Sequence, residues 1–253
     1  MASPGFFTCM LFFLLFISIW SCHAQNVTLS VYYETLCPYC ADFVANHLVK
    51  LFDNRLFSIV DLRLVPWGNA VIRSDGTFLC QHGPGECFLN AIEACTISIY
   101  PNEEQHFRFI LCVEHLVSEN RPNEWVNCFN QTGLATVPID CYKSGYGNVL
   151  ENQYADETTR LNPSHKFVPW VLVNGQPLQE VATLSVDFKN FVSYICNAYK
   201  GDQMPEACHP LPLMISSSEK ATLGYPASLL VADTPYSVAL LLIYGIHFCF
   251  SLL

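Results

Sequence analysis

Lysine and arginine are scarce. The 253-residue chain carries 12 of them against 22 Asp and Glu, a formal net charge of −10 with histidine neutral. No cluster of basic residues occurs anywhere along it. Proteins that hold nucleic acid displace counterions with clustered Lys and Arg, so nucleic acid is excluded as a partner. Charge is missing altogether from residues 1–24, and residues 221–253 hold only Asp233. There is no repeat of solenoid or propeller length and no low-complexity block, which excludes repeat architectures. A hydrophobic content of 51% with 13% aromatics excludes a disordered chain. Between the two uncharged ends remain about 190 residues, enough for one domain with a sizeable core.

The ends read as processing and attachment segments. Residues 6–20 form an apolar run, followed by Cys22-His23-Ala24 with a small residue where a signal peptidase cuts. This predicts a signal peptide over residues 1–24. Two sequons, Asn26-Val27-Thr28 and Asn130-Gln131-Thr132, make Asn26 and Asn130 the expected glycosylation sites of an exported protein. Residues 209–235 are rich in Pro and Ser and read as a linker, and 236–253 form an apolar tail. Three readings of the tail stay open: a GPI-attachment signal, a short membrane anchor, or an extension without a role. The first two would attach the protein to a membrane. The expected location is the secretory pathway, with secretion or a lysosome or vacuole as the end point.

Cysteine usage fits that route. Of 13 cysteines, Cys9, Cys22 and Cys249 fall in the end segments. Ten lie in the body: Cys37, Cys40, Cys80, Cys87, Cys95, Cys112, Cys128, Cys141, Cys196 and Cys208. An even set in an exported domain implies disulfides. Outside the Cys37/Cys40 pair the connectivity is open. Cys87 and Cys95 fall on similar faces of one helix and are expected to have different partners. Cys196 and Cys208 are expected to form a local clamp.

Along the body, Val27 to Tyr33 is rich in β-branched and aromatic residues and reads as a strand. Cys37-Pro38-Tyr39-Cys40 follows. Then Phe43, Val44, His47, Leu48 and Leu51 recur at helical spacing over residues 41–52. Phe57 to Val65 reads as a second strand. Helices are expected at Glu86–Tyr100, at Glu103–Glu119 and, less regularly, at Val137–Arg160. Phe167 to Val173 reads as a strand, Asn174-Gly175 as a hairpin turn, and Leu184–Tyr199 as a closing helix. The order is βαβ, a helical insert, then ββα. The expected fold is α/β: a thioredoxin-like fold over residues 25–208 with a Cys-rich helical insertion at about residues 66–165.

Cys37 and Cys40 carry the chemistry. Two thiols three positions apart at a helix start can close a tight disulfide and exchange it with a substrate. Unpaired backbone N–H groups there favour a thiolate on the first sulfur. Cys37 is the expected nucleophile and Cys40 the resolving thiol. Val168-Pro169 opens a strand far downstream. Proline cannot donate a ladder bond, which leaves neighbouring backbone free for a substrate peptide. Val168, Pro169, Pro38 and Tyr39 are therefore the expected substrate groove. A structural pair, or half of a zinc site completed by Cys80 and His82, is the competing reading.

The stretch Cys80-Gln81-His82-Gly83-Pro84-Gly85-Glu86-Cys87, continuing through Asn90 to Cys95, matches the pattern CQHGxxECxxNxxxxC. With the upstream CxxC and the Val168-Pro169 strand, it resembles the gamma-interferon-inducible lysosomal thiol reductase (GILT) family over roughly residues 27–208. The resemblance implies a thioredoxin-like fold and reduction of disulfides in protein substrates at acidic pH. No cofactor is expected beyond an external thiol reductant, and no metal. The signature itself is read as a disulfide-pinned loop with Gly83 and Gly85 at turns and Glu86 near a helix N-terminus. Two other readings of it are that His82 tunes Cys37 and that Gln81 and Glu86 form a polar network. An oxidase or isomerase on the same fold, or a disulfide-rich surface binding module, are the alternative functions.

Overall fold

In the computed structural model, residues 26–53, 55–178 and 191–209 are described. The expected signal peptide, most of the linker, the apolar tail and the first half of the Leu184–Tyr199 helix lie outside them. Strand β1 (Val27–Tyr33) runs into a turn and then helix α1 (Pro38–Phe43). The helical path continues as a π turn, Val44–Leu48, and a short helix α2 (Lys50–Asp53). Phe43, Val44, Leu48 and Leu51 are buried along this path, as their spacing predicts. The second strand is shorter than expected: Leu56–Ile59 forms a 3-10 turn and β2 covers Val60–Pro66.

The insert between β2 and the next strand of the main sheet begins with an element the sequence reading omitted. Strands β3 (Val71–Ile72) and β4 (Phe78–Leu79) form a small antiparallel hairpin. Asp75-Gly76 was its signal: Gly76 has φ of +81°, and Asp75 accepts from Thr77 N at 2.9 Å. Helices α3 (Pro84–Ile99), α4 (Glu103–Ser118), α5 (Asn127–Thr132), α6 (Val137–Lys143) and α7 (Tyr146–Thr159) follow. The single helix expected at 137–160 is broken at Gly145, whose φ is +83°.

Strand β5 (Trp170–Val173) returns to the sheet and β6 (Gln176–Pro177) closes it, before helix α8 (Phe191–Ala198). Asn174 and Gly175 both take positive φ, 49° and 75°, as a tight two-residue hairpin turn requires. The sheet order is β2-β1-β5-β6. β1 and β2 are parallel, with Val27 opposite Val60 and Tyr33 opposite Pro66; β1 and β5 are antiparallel, with Tyr32 opposite Trp170. This is a thioredoxin-like α/β fold with a Cys-rich helical insertion.

Alternation along the strands divides the core between two sheet faces. Leu29, Val31 and Tyr33 of β1 join Leu62, Leu64, Val171 and Val173 in one cluster, against Phe43, Val44, Phe107, Ile110 and Ile195. Tyr32, Val65, Trp170 and Leu172 form the other, against Ala94, Leu150 and Tyr154. Each buried Leu or Val side chain contributes roughly 1.5–3 kcal/mol. Four disulfides tie the insert and the C-terminal end. Cys95–Cys141 joins α3 to α6, and Cys112–Cys128 joins α4 to α5. Cys80–Cys87 pins the loop before α3 to its first turn, and Cys196–Cys208 clamps α8 to the turn after it. Cys87 and Cys95 thus have different partners. Among the described residues, no helix is long and apolar enough to cross a membrane.

Candidate active site

Strand β1 delivers the chain to the end of the sheet, where it turns and enters α1 with Cys37 as the N-cap residue in extended conformation. Pro38 sits in the first turn, where its missing N–H costs nothing. The N–H groups that remain there, of Tyr39 and Cys40, point at the Cys37 sulfur. Cys37 and Cys40 are the free thiols of the described residues. A hydrogen bond from the Cys40 thiol is the largest influence on Cys37 and lowers its pKa. Burial opposes this, but the backbone N–H groups and the nearby His82 add to it. The outcome is a pKa of about 6. Cys40 goes the other way: burial first, then the neighbouring Cys37 sulfur, push it well above the usual thiol value. The two thiols are thus split into an acidic one and one that holds its proton.

Access to them is narrow. Cys37 is 4% exposed and Cys40 is fully buried, whereas Tyr39 between them is 75% exposed. Pro38 is exposed as well. Val168 and Pro169 are buried, and the peptide bond between them is cis. Carrying the β1–β5 register one residue past the Tyr32–Trp170 pair sets Pro169 opposite Tyr33. Pro169 therefore stands at the sheet end from which the Cys37 turn emerges.

The loop pinned by Cys80–Cys87 is more than a pinned loop. Glu86 is fully buried, and its carboxylate accepts from Gln81 N at 3.0 Å and His82 N at 3.3 Å, as well as pairing with His82 Nδ1. A second buried carboxylate, Glu34, faces the same His82 Nδ1 at 3.5 Å and accepts from Asn69 N at 2.5 Å. Burial would push the His82 pKa down, but the hydrogen bond and charge of Glu86, with Glu34 and Cys37 behind it, outweigh that and raise it. The signature is a disulfide-pinned loop with Glu86 in the first turn of the helix, as expected. It carries two further features: Glu86 links Gln81 and His82 in a polar network, and His82 is the smallest of the influences that lower the Cys37 pKa. Gly83 does turn the chain, with φ of +93°. Gly85 does not; it lies inside the first turn of α3.

The signature also holds the active turn from behind. Asn90 Oδ1 accepts from Thr35 N at 3.0 Å, and Thr35 Oγ1 donates to Glu86 O at 3.4 Å, both buried. A zinc site through Cys80 is excluded, since Cys80 is bonded to Cys87. Glu34, His82 and Glu86 each place one donor atom within 4.8 Å of the others, a spacing a metal ion can bridge. The pairing of His82 Nδ1 with Glu86, with Glu34 facing the same nitrogen, accounts for the same approach.

Sequence reasoning missed Glu34 and a set of acids deeper in. Glu93, Glu114 and Glu151 are fully buried, and each has at least one oxygen without a hydrogen-bond partner. Tyr33 OH donates to Glu93 at 2.6 Å. Burial raises the pKa of all three. Glu114 also feels Cys37. Nothing in their spacing marked them, because acids at these helical positions read as solvent-facing.

A sequence profile described as "Gamma interferon inducible lysosomal thiol reductase (GILT)" matches residues 28–132. The Arabidopsis thaliana "Gamma-interferon-responsive lysosomal thiol protein" is 38% identical over 216 residues, covering 85% of this chain and 89% of that one. The Carassius auratus "Gamma-interferon-inducible lysosomal thiol reductase" is 36% identical, covering 74% of this chain and 73% of that one. The chain belongs to the GILT family. This GILT protein is accordingly a thiol-disulfide oxidoreductase. Among solved structures it is similar to oxidised BdbD from Bacillus subtilis, at 13% identity and a TM-score of 0.48, covering 68% of this chain and 86% of that one. DsbG from Mycobacterium tuberculosis, in its reduced form, follows at 20% identity and 0.47, with coverage of 72% and 81%.

Proposed function

We propose that this chain reduces disulfides in protein substrates through the Cys37–Cys40 dithiol, in an acidic compartment reached by export. The split between the two thiols is the observation that carries the reading. A thiol of pKa about 6 is roughly one-tenth ionised at pH 5, whereas an ordinary thiol of pKa about 8.5 is ionised in about one molecule of 3,000. The Cys37 thiolate attacks one substrate sulfur. A mixed disulfide forms, and the other substrate sulfur leaves as a thiolate and takes a proton. Cys40 then loses its proton and attacks the Cys37 sulfur. The second substrate thiol is released and the Cys37–Cys40 disulfide remains. The substrate gains two electrons and two protons, and an external thiol reductant returns them to the enzyme.

The exposed Pro38 and Tyr39, with Val168 and Pro169 at the sheet end, are suited to flank an extended substrate. Pro169 offers no N–H of its own to the sheet. Four disulfides among the described residues fit an exported protein. The names of the Arabidopsis and Carassius relatives include the word lysosomal, which supports an acidic end point. Of the two sequons, Asn130 is exposed and free to carry a glycan, while Asn26 Nδ2 donates to Asp61 at 2.9 Å.

The test is reduction of a disulfide-bonded polypeptide such as insulin, measured against pH. Wild type is expected to turn over at pH 5. Cys37→Ser is expected to lose turnover, and Cys40→Ser to accumulate a covalent enzyme–substrate adduct that excess thiol releases. Turnover retained in Cys37→Ser would sink the reading.

A further inference from the structure

One group beside the dithiol has no part in the exchange as written. The Glu34 side chain is wholly buried, and its Oε2 has no hydrogen-bond partner. Oε1 is held by Asn69 N at 2.5 Å, and Oε2 looks across 3.5 Å to His82 Nδ1. The Glu34 carbonyl accepts the Cys37 N–H at 3.3 Å, so carboxyl and thiol hang from one turn. The carboxyl is boxed in, since a Cβ added at Gly68 would lie 2.4 Å from Glu34 Cγ. Where two acidic groups share a dry site, the charge of one makes the second ionisation costly.

We propose that Glu34 is the redox-linked proton site of the couple: its carboxyl takes up a proton when Cys37 becomes a thiolate and releases it when the disulfide closes. This deepens the proposed function and rests on Cys37 being the thiolate. Two electrons open the Cys37–Cys40 disulfide. One proton goes to the Cys40 sulfur, and a further fraction of a proton goes to Glu34 rather than to Cys37. Closing the disulfide removes the sulfur's charge and reverses both. The Glu34 pKa stands at about 7, raised chiefly by burial and further by Glu86 and Cys37, against the Asn69 N–H and His82.

The other ionisable groups around the pair come from every packed element. His82 and Glu86 face it from the pinned loop and α3 and are paired with one another. Cys40 faces it from α1. His165 stands behind Asn69, at 3.2 Å. Glu114 of α4 also feels Cys37 and is the competing proton site. Glu34 differs from Glu114 in standing on the Cys37 turn itself, against the same imidazole that acts on Cys37.

The measurement is proton uptake on reduction of the disulfide, in weakly buffered solution at a pH midway through the Cys37 and Glu34 titrations, for wild type, Glu34→Gln and Glu114→Gln. Wild type is expected to take up more protons per disulfide than Glu34→Gln. The thiolate absorbance of Glu34→Gln is expected to titrate at lower pH and over a narrower range, with Glu114→Gln resembling wild type. Equal uptake and superimposed titrations for wild type and Glu34→Gln overturn the inference. So does loss of the extra uptake in Glu114→Gln alone. Should Glu34→Gln not fold, glutamate-labelled wild type is followed by carbon NMR in both redox states. One carboxyl, missing from the spectrum of Glu34→Asp, is expected to titrate at higher pH in the reduced protein; no such carboxyl overturns the inference. Failure of the underlying reading looks different: no thiolate signal from Cys37 and turnover surviving Cys37→Ser.

Discussion

His82 is the residue whose part could be written only after folding. In sequence it stands 45 positions after Cys37 and two after Cys80, which made it a zinc-ligand candidate. In the fold its ring is held by Glu86 and faces Glu34, and its raised pKa keeps it cationic further up the pH scale. A cation beside a thiolate lowers the thiol pKa. His82→Asn is therefore expected to raise the midpoint of Cys37 alkylation by about half to one pH unit, read from the rate of reaction with a soluble alkylating reagent. An unchanged midpoint would remove His82 from the site. Cys37 and Cys40 were legible from their CxxC spacing together with its place between a strand and a helix start, both of which are local. Glu34 was not: its carboxyl matters because Asn69, Gly68 and His82 arrive around it from distant parts of the chain.

At the level of elements, the turn after β2 is built to the shape of Glu34. Gly68 takes φ of +57° and has no room for a side chain, because the added carbon would overlap Glu34 Cγ. Gly68→Ala carries both a left-handed backbone cost and a clash, together about 1–3 kcal/mol. A matching loss is expected in urea denaturation, accompanied by a displaced Cys37 titration. Loss of stability with the thiol titration unmoved would mean that Glu34 does not transmit to Cys37. The long helices α3 and α4 were legible from apolar periodicity, and the Asn174-Gly175 turn from its dipeptide. The β3–β4 hairpin was marked only by its Asp75-Gly76 dipeptide, because two-residue strands carry too little pattern to show a period. The stretch at 137–160 was only loosely helical in sequence, and the break at Gly145, where the backbone turns with φ of +83°, was not marked.

For the whole molecule, the buried acids set the direction of pH dependence. Glu34, Glu93, Glu114 and Glu151 all have pKa values raised above the ordinary carboxyl value, in each case first by burial. For such a group the folded state binds more protons than the unfolded state between the ordinary value and the raised one, so stability falls as pH rises through that window. The thermal midpoint is expected to be higher at pH 5 than at pH 8, with each kcal/mol lost lowering Tm by about 2–4 °C. Glu151→Gln, far in sequence from the dithiol, is expected to flatten the dependence. A Tm that climbs toward pH 8 contradicts this account. The disulfides act at the same scale. Cys95–Cys141 spans 46 residues, the longest separation of the four. Replacing both by Ala is expected to cost about 4 kcal/mol from the larger freedom of the unfolded chain, measured by denaturant titration under oxidising conditions.

The chain's own order of residues determined the thioredoxin-like arrangement, the dithiol and the short Cys196–Cys208 clamp. The dithiol and the clamp depend on spacing within or between neighbouring elements, and the fold class was read from the order of elements, whereas the pairing of β1 with the distant β5 was settled by the fold. Which longer-range cysteines join, that Glu86 is buried, and that Glu34, His82 and Cys37 share one electrostatic site were decided only by tertiary structure. Those facts depend on how far water is excluded and on which distant loops converge, and neither quantity is written in any single stretch of sequence.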